Sequence, residues 1–156
     1  MGRSDLHKEL QVKAKYYLLN KGFWICGEEV PMPAGVCDAW GMSRADYLET
    51  MAIEVKVSRT DFRSRSHIFK ENLPYPMGNF QYVLCQADLI QPHEIHEKWG
   101  LLWWNGERMV NKKKAPKLEM TPEEKLQILL YFLNNGSNVK RPQLLTEVPL
   151  EIAPNP

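Results

Sequence analysis

The chain has 156 residues, 44% of them hydrophobic and 25% charged, which is enough apolar material for one globular domain with a real core. A formal net charge of +1 gives no overall pull on a polyanion, so any such contact must come from local charge. The three cysteines, Cys26, Cys37 and Cys85, are scattered and form no C-x-x-C pair; they support neither a disulfide framework nor a zinc knuckle and fit reduced thiols in a cytoplasmic protein.

The first residues, MGRSDLHKEL, hold no apolar signal core and do not place Ser or Thr where a myristoylation signal prefers it. No stretch approaches the length of a membrane span, so no membrane partner is expected. Residues 5–20 are predicted as a helix, with Leu6, Leu10, Ala14, Tyr17 and Leu18 in one apolar stripe. Ser4 is the N-cap and NKG the stop. FWICGEEVP reads as a first strand, PMPAG as a turn, VCDAWGM as a second strand and SRADYLET as a connection. MAIEVKVS is the third and strongest strand, and RTDFRSRSHIFKENL is predicted helical. PYPMG breaks the chain, NFQYVLCQ is a fourth strand, and QPHEIHEK is a loop or one short turn.

WGLLWW, NG and ERMVNKKK then spell a hairpin, because Asn-Gly is the strongest short hairpin signal. TPEEKLQILLYFLNN closes the ordered part as a helix, with Thr121 as cap, Pro122 at the first helical position and Glu124 completing a capping box. The order α-β-β-β-α-β, then a hairpin and a helix, predicts an α/β fold: a mixed central sheet flanked by helices. We expect one domain over residues 1–135 and an extended or disordered tail over 136–156, where four prolines and no clear period follow Gly136.

The third strand carries the chemistry. In AIEVKVSRTDF, Ile53, Val55 and Val57 point one way and Glu54, Lys56 and Ser58 the other. From alternation alone, this polar row fits a water-exposed face with an ion pair as well as it fits a site. Asp38, on the second strand, is far enough back along the chain for its strand to lie beside that of Glu54. Two carboxylates from neighbouring strands can hold a magnesium ion, with a backbone carbonyl such as that of Val55 completing the protein's share of the shell. Lys56 would then orient the attacking water or neutralise charge developing on a phosphate.

Asp38 followed by Glu54-x-Lys56 in a strand, after an α-β start, resembles the PD-(D/E)XK nuclease superfamily. Residues 54–62, EVKVSRTDF, resemble the E-[IV]-K-x-S-x-x-D-F segment of the MmcB-like group of DNA-repair nucleases. GNFQYVLC and WGLLWW resemble that group's later strands, and the likeness runs over residues 5–104. The resemblance implies a restriction-endonuclease-like core and Mg2+- or Mn2+-dependent hydrolysis of DNA, in repair or in a mobile-element or phage setting. Asp38 and Glu54 would be the metal ligands, with the Val55 carbonyl, and Lys56 the third catalytic residue. Ser58, Asp61 and, from the first helix, Glu9 would support the site. Many nucleases of this fold pair up, so a homodimer is possible. The chain departs from the group in having Cys37 where a proline usually precedes the aspartate. It also lacks the group's tryptophan in the basic stretch after Phe62.

Rival readings stay open. Asp46 competes with Asp38 but lies close to Glu54 in sequence. Glu9 also reads as a solvated helix glutamate, and Asp61 as a helix cap. Two basic segments are candidate phosphate contacts: Arg59, Arg63, Arg65 and Lys70 after Lys56, and Arg108, Lys112, Lys113, Lys114 and Lys117 on and after the hairpin. Trp99, Trp103 and Trp104 could stack on bases but read better as packing. His93 and His96 are spaced for a ligand pair without an evident third partner, so a polar loop is the better reading.

Overall fold

The computed structural model describes residues 4–32, 35–44, 48–64 and 75–135. Helix α1 (Asp5–Asn20) opens the chain, and the Ser4 side chain caps it by accepting the His7 N–H. Strands β1 (Ile25–Met32), β2 (Gly35–Met42) and β3 (Thr50–Val55) follow, then the short helix α2 (Arg59–Ser64). Strand β4 (Phe80–Gln86) leads through a 3-10 turn (Pro92–Glu94) to β5 (Gly100–Trp104), β6 (Met109–Lys113) and helix α3 (Pro122–Asn135). The remainder of the helix expected after β3, Asp46, Arg65, Lys70 and the tail 136–156 lie outside the described residues.

The six strands form one sheet in chain order. β1–β2, β2–β3 and β5–β6 are antiparallel, while β3–β4 and β4–β5 are parallel. The mixed sheet flanked by helices matches the order expected from sequence. The Asn105–Gly106 turn closes the hairpin: Asn105 Oδ1 accepts the Glu107 and Arg108 N–H groups, and Gly106 supplies a φ of +95°. Thr121 and Glu124 form the expected reciprocal cap of α3.

The sheet is covered on both faces. Leu10, Ala14 and Leu18 of α1 pack over Ala39, Met51, Ile53, Val55, Tyr82 and Leu84. Ile128 and Phe132 of α3 share the other core with Trp40, Ala52, Val83, Cys85 and Leu101. Every residue of β3 is therefore buried. The water-exposed reading of the Glu54–Lys56 row is thereby corrected: the second face lies under a second layer of side chains.

Asn79, 3% exposed, ties three parts of this core together. Its Oδ1 accepts the Thr50 N–H (2.9 Å), its backbone N–H reaches Thr50 Oγ1 (3.0 Å), and its Nδ2 donates to Leu118 O (2.9 Å). The starts of β3 and β4 and the segment after β6 are held by this one side chain.

Candidate metal-dependent site at the β2–β3 fork

Strands β2 and β3 run side by side from Met42 and Thr50 to Ala39 and Ile53. Continuing that register by one step sets Asp38 against Glu54. Here β2 loses regular alternation. Cys37 and Trp40 both join the core on the α3 side, although they are three positions apart and strand residues share a face only at even offsets. On β1, Glu29 lies between the paired residues Glu28 and Val30 and has a left-handed φ of +53°. The irregularity thus crosses both strands at the level of Asp38.

Asp38 uses the break. Its Oδ2 accepts the Val55 N–H at 2.8 Å, so a side chain takes the place of the next backbone acceptor in the ladder. Its own carbonyl accepts Gln11 Nε2 from α1 at 2.9 Å, and its Oδ1 lies 3.3 Å from His7 Nε2. The backbone N–H of Lys56 turns the other way, to Leu84 O of β4 at 2.9 Å. Because a strand residue directs its N–H and C=O to the same neighbour, the Val55 carbonyl points to the Asp38 side.

Asp38 and Lys56 are 1% exposed and Glu54 is 0% exposed. Both carboxylate oxygens of Glu54 are buried. The thiol of Cys37 senses the two acids: burial raises its pKa well above the ordinary value, and the charges of Glu54 and then Asp38 raise it further. Two carboxylates and a directed carbonyl form a hard oxygen donor set, which fits magnesium or manganese. Among the described residues, no group of three or more His, Cys, Asp and Glu side chains is arranged to hold a metal ion, so water or substrate must complete any shell here.

The other predicted residues fall elsewhere. Ser58 Oγ accepts the Asp61 N–H (3.0 Å), and Asp61 Oδ2 accepts the Val57 N–H (3.2 Å). These two residues cap the start of α2, which favours the capping role for Asp61. Glu9 is exposed and lines a cleft with Gln86 and Trp104, whereas His7 and Gln11 are the α1 side chains that meet Asp38. Glu9, expected to approach the pair, is placed on that cleft. Arg59 is gripped by both oxygens of Glu94 and also donates to Leu89 O (3.1 Å). Lys113 Nζ donates to the carbonyls of Ile95 (2.7 Å) and His96 (3.0 Å). Both were expected on phosphates; in this structure each holds the turn around Pro92–Glu94, because carboxylate and carbonyl oxygens lie within reach.

Lys117 pairs with Glu49 at 2.7 Å. Arg63, Arg108, Lys112 and Lys114 are exposed, with Lys112 Nζ 4.6 Å from the Trp103 ring centroid. Trp99 is core, and Trp103 Nε1 donates to Ile90 O at 2.9 Å, as the packing reading expects. His93 lies in the 3-10 turn and His96 Nδ1 accepts the Lys98 N–H, as expected of a polar loop.

No protein-family model matches this chain, and no curated protein matches it in sequence. A solved structure of a protein of unknown function from Silicibacter pomeroyi is similar in fold, with a TM-score of 0.64 and 20% identity. The match covers 86% of this chain and 87% of that one. It establishes a shared mixed α/β architecture. Among the described residues, no helix is long and apolar enough to cross a membrane.

Proposed function

We propose that the protein is a divalent-metal-dependent nuclease of the PD-(D/E)XK type that hydrolyses DNA phosphodiester bonds. The observation that carries this reading is the burial of Asp38, Glu54 and Lys56, all at most 1% exposed, on and just beyond the neighbouring strands β2 and β3. Burying three ionisable side chains is expensive, and such clusters concentrate where chemistry requires them. DNA as substrate, and a setting in repair or a mobile-element genome, follow from the sequence resemblance.

Asp38 and Glu54, with the Val55 carbonyl, would hold Mg2+ or Mn2+, which when bound supplies an acidified water and charge stabilisation at the phosphate. The chain's own residues do the positioning. The Val55 N–H fixes Asp38 Oδ2, and Gln11 and His7 hold the fork against α1. The Lys56 ammonium, on the same strand as Glu54, supplies the positive charge that offsets the charge developing on the phosphate. Arg63, Lys112 and Lys114 are the exposed cations through which a DNA backbone is met without regard to sequence.

A second reading has its own support. Glu54 at 0% and Lys56 at 1% exposure leave no path for a phosphate to reach them in this conformation, which favours a DNA-holding module that does not cut. Labelled linear, circular, flap and four-way DNA, incubated with magnesium, manganese or EDTA, separates the two. Metal-dependent cutting by wild type that disappears in Glu54→Gln and Lys56→Met supports the nuclease. Binding without cutting in every metal overturns it in favour of the module.

A further inference from the structure

A cleft of about 540 Å³ opens between the first turn of α1 and the ends of β4 and β5, lined chiefly by Leu6, Glu9, Gln86, Trp104, Asn105 and Gly106. Its position is fixed on two sides. His7, between Leu6 and Glu9 in sequence, faces Asp38. Gln86 lies two residues beyond Leu84, whose carbonyl receives the Lys56 N–H. The cleft therefore sits at the carboxyl ends of the parallel strands β4 and β5, the end at which open α/β sheets hold ligands.

The lining combines three kinds of group. Trp104 supplies an aromatic wall, steadied by Lys13 Nζ 4.6 Å from its ring centroid. Glu9, one helical turn before Lys13 on α1, supplies an exposed carboxylate. Gln86 and Asn105 supply carboxamides; the oxygen of Asn105 is occupied by two turn N–H groups, which leaves its Nδ2 as the donor toward a ligand. An apolar plane beside a carboxylate and planar amides is the chemistry that reads the Watson–Crick edge of a base that has left its partner. The volume is that of a small-molecule site and exceeds what one base fills.

We propose that this cleft holds one unpaired nucleobase of the DNA, with guanine preferred. Guanine alone among the four bases offers two parallel N–H donors, N1–H and N2–H, to the Glu9 carboxylate. The cations nearby, Lys13 included, meet the adjoining phosphates. The substrate class is then DNA with a single-stranded or extruded nucleotide beside the scissile bond. This rests on the nuclease reading for its biological sense, but its test does not require cleavage.

Fluorescence anisotropy in EDTA, with the full chain, measures binding to a labelled short DNA oligomer that is abasic at every position but one. The oligomer carries guanine, thymine or an abasic site at that central position. Wild type is expected to bind the guanine oligomer at least about thirtyfold more tightly than the abasic one, the size of one stacked and doubly bonded base. Glu9→Gln, an exposed change that leaves the core untouched, should bring guanine to the level of thymine and leave the abasic oligomer unchanged. Trp104→Leu should weaken both base-bearing oligomers toward the abasic value. Equal binding of all three oligomers, no binding of any, or a guanine preference that survives Glu9→Gln overturns the proposal. Cutting in the metal assay without base preference here refutes the cleft alone. Base preference here without cutting refutes the nuclease alone.

Discussion

In the proposed site Asp38 joins the fold to the chemistry, and two substitutions at this residue separate those roles. In Asp38→Ala the Val55 N–H, in a residue 1% exposed, loses its 2.8 Å acceptor. A buried donor left without a partner costs about 1–3 kcal/mol, and the charged acceptor puts the loss in the upper part of that range. For a chain of this size that corresponds to a fall in Tm of roughly 6–9 °C. Asp38→Asn keeps an acceptor oxygen for Val55. It also removes one of two neighbouring negative charges, so its stability in EDTA should lie within about 1 kcal/mol of wild type. The metal arm gives the opposite ranking to a fold-only account. At a hundredfold excess over its Kd, a bound ion stabilises wild type by about 2.7 kcal/mol. That is a rise of roughly 8 °C with magnesium or manganese. Asp38→Asn should lose most of the rise while keeping the EDTA value. Thermal melts in EDTA and in each metal decide the matter. A full metal-induced rise in Asp38→Asn refutes Asp38 as a ligand, and an unchanged melt for Asp38→Ala refutes its structural anchoring of Val55.

Four further predictions concern the frame around the site. Asn79→Ala strands the buried Thr50 N–H and Leu118 carbonyl and should cost about 3 kcal/mol, read from a urea titration; a loss under about 1 kcal/mol contradicts the hub. Gly100→Ala places a methyl against the Tyr82 ring and 2.6 Å from the Lys113 carbonyl, so it should depress expression and Tm sharply, whereas Gly106→Ala meets nothing within 4 Å and pays only for its φ of +95°. Glu94, paired with Arg59 and bonded to the Gln91 N–H, has its carboxyl lowered from 4.5 to about 2, chiefly by the Arg59 hydrogen bonds. Its folded pKa lies below the unfolded one, so its contribution is present above pH 4.5 and is lost as pH falls toward 2; Glu94→Gln should flatten the acid limb of a pH–stability profile across that window, and an unchanged limb refutes the pairing. The double variant Glu54→Met, Lys56→Met should be as stable as wild type in EDTA yet inactive on DNA, because buried charges replaced by apolar side chains of similar volume are often neutral or stabilising. Unfolding of that variant would assign the cluster to the fold instead.

Most of the elements were legible because their signals are local. Ser4 before the α1 stripe, Asn105–Gly106 between two apolar runs, and Thr121-Pro122 with Glu124 each act within a few residues, and each occurs as expected. The partners of Asp38 were less legible. Glu9 was expected at the site, but two residues of helix turn the direction by about 200°, which places Glu9 on a different face from His7 and Gln11. The signal for the right pair was present: His7 and Gln11 continue the buried positions Ala14 and Leu18 at helical spacing, although as polar residues they did not count toward an apolar stripe. The duties of Arg59 and Lys113 could not be read locally at all, since Glu94 and the Ile95 and His96 carbonyls come from distant parts of the chain.

The burial of Glu54 and Lys56 is the feature that sequence periodicity described least well and that says most about function. Alternation gave the right grouping of side chains, with Ile53 and Val55 on the α1 side, but could not say what covers the other face. That face is closed by residues far along the chain, including Ile90, Ile95, Trp99 and the α3 pair Ile128 and Phe132. An exposed ion pair on a strand contributes little and is readily replaced, whereas charges under such a cover oppose folding unless matched. Two carboxylates and one ammonium carry a formal charge of −1 together, so a cation reaching the cluster meets net negative charge. The β2–β3 fork at Asp38 is itself built on departures from regular pairing: an irregular β2, a left-handed Glu29, and a ladder bond given to a side chain. The left-handed Glu29 is strained, and all these departures converge on Asp38. A fold that needed only a sheet edge at this point would keep regular pairing; one that must hold two acids and a carbonyl around a common point has a physical reason to break it.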